Sequence, residues 1–424
     1  MTSQNPAGAV GGETKAEQEA KLPRRDWILL PILGFATMAL LVIGTEELAS
    51  RRFLDAETGL APCLVLNDSS TGVRGVPNST CWAKGKESSW TEYKFNSRGH
   101  RAGMESGSKD AGTYRIVMTG SSVAMGLFVP REQTVAALLP KELSQLTGRK
   151  VELYNTSIGA AYGGTPHSIS LRFNEIVAAK PDMILWILTP WDIDHAPDLK
   201  PETDYLRAEG RSAPAPYREA GPRGVMLRRI AAAIGVQSLA GSLYDRMKEF
   251  RFRTLLSHYL FESQSLYVKS YLKNGEDAAG FLKSEWGPEW LEKRNDFDRY
   301  AAEIEEQAGS VGVPLVAVQV PTRAQAAMIS MGEWPEGYDP YKIDHEVKAV
   351  IQAHGGVYLD IFPSFRSIPN PESHYMPVDG HPDADGHAMI AALIARQLSG
   401  GAISALRAAT NQNRALVEKR KQTR

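Results

Sequence analysis

The chain has 424 residues, of which 43% are hydrophobic and 23% charged, enough apolar material for a sizeable core. A formal net charge of -1 leaves no overall field that would draw it to nucleic acid, so no nucleic-acid partner is expected.

Residues 1–26 are small, polar and charged, and read as an unfolded cytoplasmic tail. Trp27–Gly44 carries no charged residue and, at ~1.5 Å rise per residue, roughly spans a hydrocarbon core; a transmembrane anchor is assigned to 27–49. Pro31 falls in its first turn, where a missing N–H costs little. Lys21, Arg24 and Arg25 precede the segment and Glu46 and Glu47 follow it, although Arg51 and Arg52 weaken the asymmetry. The balance puts the N-terminus in the cytoplasm and the body in a periplasmic or extracellular space. A cleaved signal peptide is the competing reading, but the polar leader is long and no A-x-A-like site follows.

Residues 50–110 are rich in Gly, Ser and Asn, with little periodicity, and read as an irregular lead-in. They hold both cysteines, Cys63 and Cys81. The turn-rich stretch between them would close as a disulfide loop, worth ~3 kcal/mol in the loop-entropy model and lasting only in an oxidising compartment. The alternative is two unrelated thiols.

Residues 111–400 alternate short apolar runs with helical patterns. Strands are expected at Tyr114–Thr119, Val151–Tyr154, Met183–Leu188, Val313–Val320 and Val357–Ile361. Helices are expected near Gln133–Leu146, Pro166–Ala179, Asp296–Val311, Ile343–His354 and Gly386–Leu398. Such alternation predicts a parallel sheet with helices on both faces. An insert at 195–297 is read as largely helical, because Val236, Leu239, Leu243, Met247 and Phe250 recur at three- and four-residue steps. Its Arg228, Arg229, Arg246, Lys248, Arg251 and Arg253 suit a solvated basic face or a surface for acidic glycan or lipid headgroups. Residues 401–424 form a basic tail.

The chemistry concentrates at two places. In YRIVMTGSSVAMGLFV, Tyr114–Val129, an apolar strand runs through Gly-Ser-Ser into a helix. A hydroxyl there stands at the carboxyl end of a parallel strand, near helix N–H groups able to hold an oxyanion. Serine is also a common helix cap, so the turn alone is weak. PVDGHPDADGH, Pro377–His387, precedes the closing helix. Asp379 and His381, alternate residues of one loop, could supply the base that a serine needs and the acceptor that orients it.

GSSVAMG with DGHPDADGH resembles the first and last blocks of SGNH (GDSL-like) hydrolases, G-D-S-x-x-x-G and D-x-(x)-H-P-N-A-x-G-H. FNSRGHR, Phe95–Arg101, is similar to the N-S-x-G-x-R lead-in of such proteins, and the resemblance spans roughly Tyr93–Leu398 without the insert. It implies a flavodoxin-like three-layer α/β/α domain, with Ser122 as nucleophile, His381 as base and Asp379 as its orienter. Some positions depart from the pattern: Ser121 stands for the Asp of G-D-S, and the acid lies two residues before the His, not three. The second oxyanion donor falls on Ala160, beside Gly159, and Trp191 stands where the third donor is usually Asn. Losing one such donor typically costs ~3–4 kcal/mol of transition-state stabilisation. Asp192 follows a strand end and either lines the pocket or makes a turn.

His381, Asp383, Asp385 and His387 lack the spacing of a calcium loop, so no metal and no cofactor are expected; His387 is read as capping or packing the closing helix. Three functions fit. The first is an esterase acting on a carbohydrate- or lipid-linked acyl group. The second is O-acyl transfer to an exported polysaccharide, with a multi-pass membrane protein as acyl donor. The third is an inactive fold that binds glycan or scaffolds an assembly.

Overall fold

The computed structural model describes residues 25–52, 60, 63–68, 72–159, 164–196, 251–274 and 279–409. Helix α1, Asp26–Arg52, contains Trp27–Leu48, a stretch of 22 residues none of which is buried by the rest of the chain. At ~33 Å it has the length and composition of a membrane anchor or a signal sequence.

The lead-in is more ordered than its composition suggests. It forms two antiparallel hairpins, β1 Leu64–Asp68 with β2 Gly72–Gly75 and β3 Thr80–Ala83 with β4 Thr91–Lys94. Thr91 and Tyr93 of β4 face inward while Glu92 and Lys94 face solvent, an alternation suited to a half-covered strand. Cys63 and Cys81 are joined as a disulfide, with Cα atoms 5.8 Å apart. Tyr93, Phe95 and Cys63 pack with Met125, Leu127, Phe128 and Met376, so the hairpins press on the loops that carry the motifs.

The body is a five-stranded parallel sheet: β5 Tyr114–Gly120, β6 Val151–Asn155, β7 Met183–Leu188, β8 Leu315–Gln319 and β9 Val357–Tyr358. Their spatial order is β6-β5-β7-β8-β9, the 2-1-3-4-5 order of flavodoxin-like folds. Strand alternation divides the core in two. Ile116, Met118, Leu185, Ile187 and Val318 pack under α3 Val135–Thr147 and α13 Ala384–Gln397. Val117, Ile184, Trp186, Leu188 and Ala317 face the other way. There they meet α4 Pro166–Leu171, α5 Phe173–Ala178, α9 Pro288–Ser310, α10 Arg323–Met331 and α11 Lys342–Ala353. Both faces are therefore apolar, as a parallel sheet between helical layers requires. The described residues also form the shorter helices α2 Ser122–Met125, α6 Pro190–Asp194, α7 Arg251–Leu260, α8 Gln264–Asn274 and α12 Phe362–Phe365.

Several boundaries differ from the expected ones. The fifth strand pairs only through Val357 and Tyr358, because it is an edge strand whose ladder to β8 ends there. The helix expected at Pro166–Ala179 breaks at Arg172 into α4 and α5. α9 begins at Pro288, inside the stretch assigned to the insert. α10 was not expected; Thr322 and Gln325 form its capping box. The Val236–Phe250 stripe, residues 1–24 and 410–424, and the basic residues Arg228, Arg229, Arg246 and Lys248 lie outside the described residues.

Candidate active site

β5 runs into the serine turn at Gly120, whose φ is +144° and where a Cβ would sit 2.3 Å from the Ile187 carbonyl oxygen. Only glycine fits there. Ser121 is then the cap residue of α2, and Ser122 begins the helix. α2 stops after one turn at Gly126, φ +77°, where a Cβ would meet Thr134 Cγ2 at 2.3 Å. The two glycines of the GSSVAMG block thus fix where the turn starts and ends.

The FNSRGHR block clamps this turn from outside. Arg101, 2% exposed, donates to the carbonyls of Met125 at 3.2 Å, Gly126 at 2.7 Å, Val129 at 2.8 Å and Glu92 at 3.1 Å. Its guanidinium lies 4.3 Å over the Tyr93 ring, and the Tyr93 hydroxyl accepts the Phe128 N–H at 2.7 Å. Asn96 accepts the N–H groups of Arg98 and His100 and donates to Met104 O and the Tyr154 hydroxyl. From β6, Asn155 donates to Ala124 O at 3.0 Å and accepts Ser157 N–H at 2.9 Å, fixing the turn from the far side.

The second motif arrives as a tight loop before α13. Met376 N–H donates to His381 O and Gly380 N–H to Met376 O, each at 2.9 Å. Within it, Asp379 Oδ1 lies 2.5 Å from His381 Nδ1 and also accepts the His381 N–H at 3.2 Å. His381 Nε2 lies 2.8 Å from Ser122 Oγ. With Nδ1–H donated to the carboxylate, Nε2 is left to accept the serine proton. Burial pushes the Asp379 carboxyl up, but the hydrogen bond and charge of His381 outweigh it and hold the group below the ordinary carboxylate range. Ser122, His381 and Asp379 are brought together from sites 259 residues apart.

A cavity of about 420 Å³ opens over these groups. Ser121, Gly159 and Trp191 line it, together with Tyr267 and Tyr271 of α8 and Tyr375, none of which was singled out in the sequence. Arg323 braces its wall: it lies 3.9 Å over the Tyr267 ring and donates to Pro377 O at 2.7 Å and Phe261 O at 2.5 Å. The Gly159 N–H points at Met125 Sδ, 2.8 Å away. The Trp191 ring stacks obliquely on His195 at 4.5 Å. Ala160 lies outside the described residues.

Asp192 does not line the cavity. It is wholly buried, and its Oδ2 accepts the N–H and the hydroxyl of Thr189, each at 2.7 Å, closing the capping box of α6. Burial raises its pKa from 3.8 to about 6, against the lowering by the Thr189 and Ser121 hydroxyls. A pKa raised on folding contributes stability below the unfolded value, near 4, that is lost as pH rises through 6. We predict that Asp192→Asn, which keeps an acceptor for Thr189, gains up to ~3 kcal/mol over wild type at pH 7.5. That gain should vanish below about pH 4. Thermal unfolding at both pH values checks it; parallel curves would reject it.

His387 is buried, and burial lowers its pKa to about 3, so it is neutral. Its Nδ1 accepts the Val135 N–H at 3.4 Å, joining α13 to the start of α3. Asp383 caps α13 by accepting Gly386 N–H at 2.9 Å. His374, Asp383 and Asp385 bring one donor atom each within 4.8 Å of one another, whereas His381 and His387 point elsewhere.

No protein-family model and no curated protein matches the chain. Among solved structures it is similar to TesA, with a TM-score of 0.34 and 12% identity, covering 68% of this chain and 98% of that one. It is also similar to the lipase/acylhydrolase from Enterococcus faecalis, with a TM-score of 0.34 and 13% identity, covering 68% and 96%. The 2-1-3-4-5 strand order, the serine turn after β5 and the Asp379–His381 loop before the closing helix give this chain an SGNH-like α/β/α fold.

Proposed function

We propose that this chain is a membrane-anchored serine esterase. Ser122 Oγ attacks an ester carbonyl while His381 Nε2 takes its proton, and Asp379 stabilises the imidazolium. The tetrahedral oxyanion faces the Ser122 N–H, which has no partner within α2 because the first amides of a helix never do. Collapse expels the alcohol, which recovers the proton from His381, and water then repeats the sequence to release the acid. The observation that carries this reading is the unbroken chain from Asp379 through His381 to Ser122, at 2.5 and 2.8 Å.

α1 serves as the anchor, with the N-terminus cytoplasmic and the body outside. The basic residues before α1 and the Cys63–Cys81 disulfide, which persists in oxidising compartments, support that orientation. The substrate is an acyl group on a carbohydrate or lipid. The aromatic lining favours a second reading, O-acyl transfer: Trp191 and Tyr271, both half-buried, present amphipathic rings suited to a sugar, whose hydroxyl would replace water. A multi-pass membrane protein would then supply the acyl group.

The test uses the full chain in detergent with an activated acetyl ester and a fluorophosphonate, with and without oligosaccharides. Ester cleavage and labelling are expected. An acylated oligosaccharide would select transfer over hydrolysis. The absence of both cleavage and labelling would remove the enzyme reading and leave a glycan-binding scaffold.

A further inference from the structure

Glu87 sits in the polar connection between β3 and β4, yet its side chain is only 2% exposed. Its Oε2 accepts the N–H groups of both Val378 and Asp379, each at 2.8 Å. Its Oε1 lies 2.6 Å from Nδ1 of His258, on α7, and α7 packs against α1. A buried carboxylate is costly unless each oxygen is engaged, and both of these are.

The loop's own closing bonds use the Met376 and Gly380 amides and leave those of Val378 and Asp379 to be satisfied by Glu87. Holding the Asp379 amide fixes the backbone from which its carboxylate reaches His381. Displacing such a group by about 1 Å is enough to cost about 10²-fold in rate.

We propose that Glu87 is a positioning residue for the acid–base pair: it holds the Val378 and Asp379 amides so that the Asp379 carboxylate meets His381, and His258 sets the direction in which Glu87 faces. The inference rests on reading Ser122, His381 and Asp379 as a triad. It extends that triad to a hairpin and to a helix, α7, that packs against α1.

The full chain in detergent is compared as wild type, Glu87→Ala, Glu87→Gln and His258→Ala. Glu87→Ala is expected to lower kcat and the fluorophosphonate labelling rate about 30–100-fold while KM stays within about two-fold. Glu87→Gln keeps an oxygen for both amides and should return to within about five-fold of wild type. His258→Ala should lose about 3–10-fold in the same direction. A role confined to stability would lower Tm without that split between kcat and KM.

A second readout needs no turnover. The His381 Nδ1 proton, 2.5 Å from Asp379 Oδ1 between heavy atoms, is expected to give a far-downfield resonance that disappears in Glu87→Ala and returns in Glu87→Gln. Wild-type labelling rate and an intact resonance in Glu87→Ala would overturn the inference and leave the triad standing. An unlabelled wild type would overturn the triad reading instead, and the resonance alone would then decide the positioning claim. Should Glu87→Ala give no folded protein, an unchanged labelling rate and resonance in His258→Ala would overturn the part assigned to His258, and loss of both in folded Glu87→Gln the part assigned to Glu87.

Discussion

Ser122→Ala is expected to lower kcat on an activated ester by about 10⁶-fold and to abolish fluorophosphonate labelling. The reason is local. Among the described residues, Ser122 Oγ is the hydroxyl that lies 2.8 Å from His381 Nε2. Ser121 is 3% exposed and caps α2 without a side-chain hydrogen bond to it, so its hydroxyl is not the one that the base addresses. Ser121→Ala should therefore keep its label, with kcat within about ten-fold of wild type. Serine hydrolases stripped of their nucleophile commonly retain ~10³–10⁴-fold catalysis over water from oxyanion donors and binding. Labelling that survived in Ser122→Ala and vanished in Ser121→Ala would move the nucleophile by one residue.

The sheet was legible because each inner strand is buried on both faces, which makes its sequence a short unbroken apolar run such as MILWIL. The edge strand β9 was overextended for a related reason: VYLDI has strand-like residues, but its ladder to β8 ends with the Leu359 N–H donated to Ala317 O. α10 could have been read from T-R-A-Q, Thr322–Gln325, whose spacing is a capping box. The hairpin at β4 also left a trace in the alternation of T-E-Y-K. The candidate triad was legible because its chemistry is local, with acid and base in one short loop and the serine between two glycines. For Asp192 the sequence left pocket and turn both open, because strand-end carboxylates look alike in sequence and only burial distinguishes a cap from a lining residue. Glu87 left no trace at all. It is one glutamate in a polar turn, and the amides it holds are 291 and 292 residues away. Tyr267 and Tyr271 are similar cases, since a helical stripe does not say which cavity it will wall.

Asp379 offers the second large effect, and its geometry makes the two obvious substitutions differ. One oxygen, Oδ1, receives both the imidazole Nδ1–H at 2.5 Å and the His381 backbone N–H at 3.2 Å. Asp379→Ala removes that shared acceptor, frees the imidazole to adopt the wrong tautomer and leaves the imidazolium uncompensated; a loss of ~10⁴-fold in kcat is expected. In Asp379→Asn the carbonyl oxygen should keep the shared place, because the His381 backbone N–H can only donate and an NH₂ group there would face it. The tautomer then survives and only the charge is lost, so Asn should recover about ten-fold or more over Ala. The pH dependence follows from the direction of the Asp379 pKa, which His381 holds below its ordinary value. A depressed carboxylate contributes stability above its unfolded pKa, near 4, and loses it as pH falls through the lower folded value. The wild type should therefore keep this contribution across the neutral range, with the difference from Asp379→Asn closing only in strong acid. Steady-state kinetics of the three proteins, with unfolding curves at neutral and acid pH, measure both effects. If Asp379→Ala kept kcat within about ten-fold of wild type, the carboxylate would be a loop brace and the acid of the triad would have to be sought elsewhere.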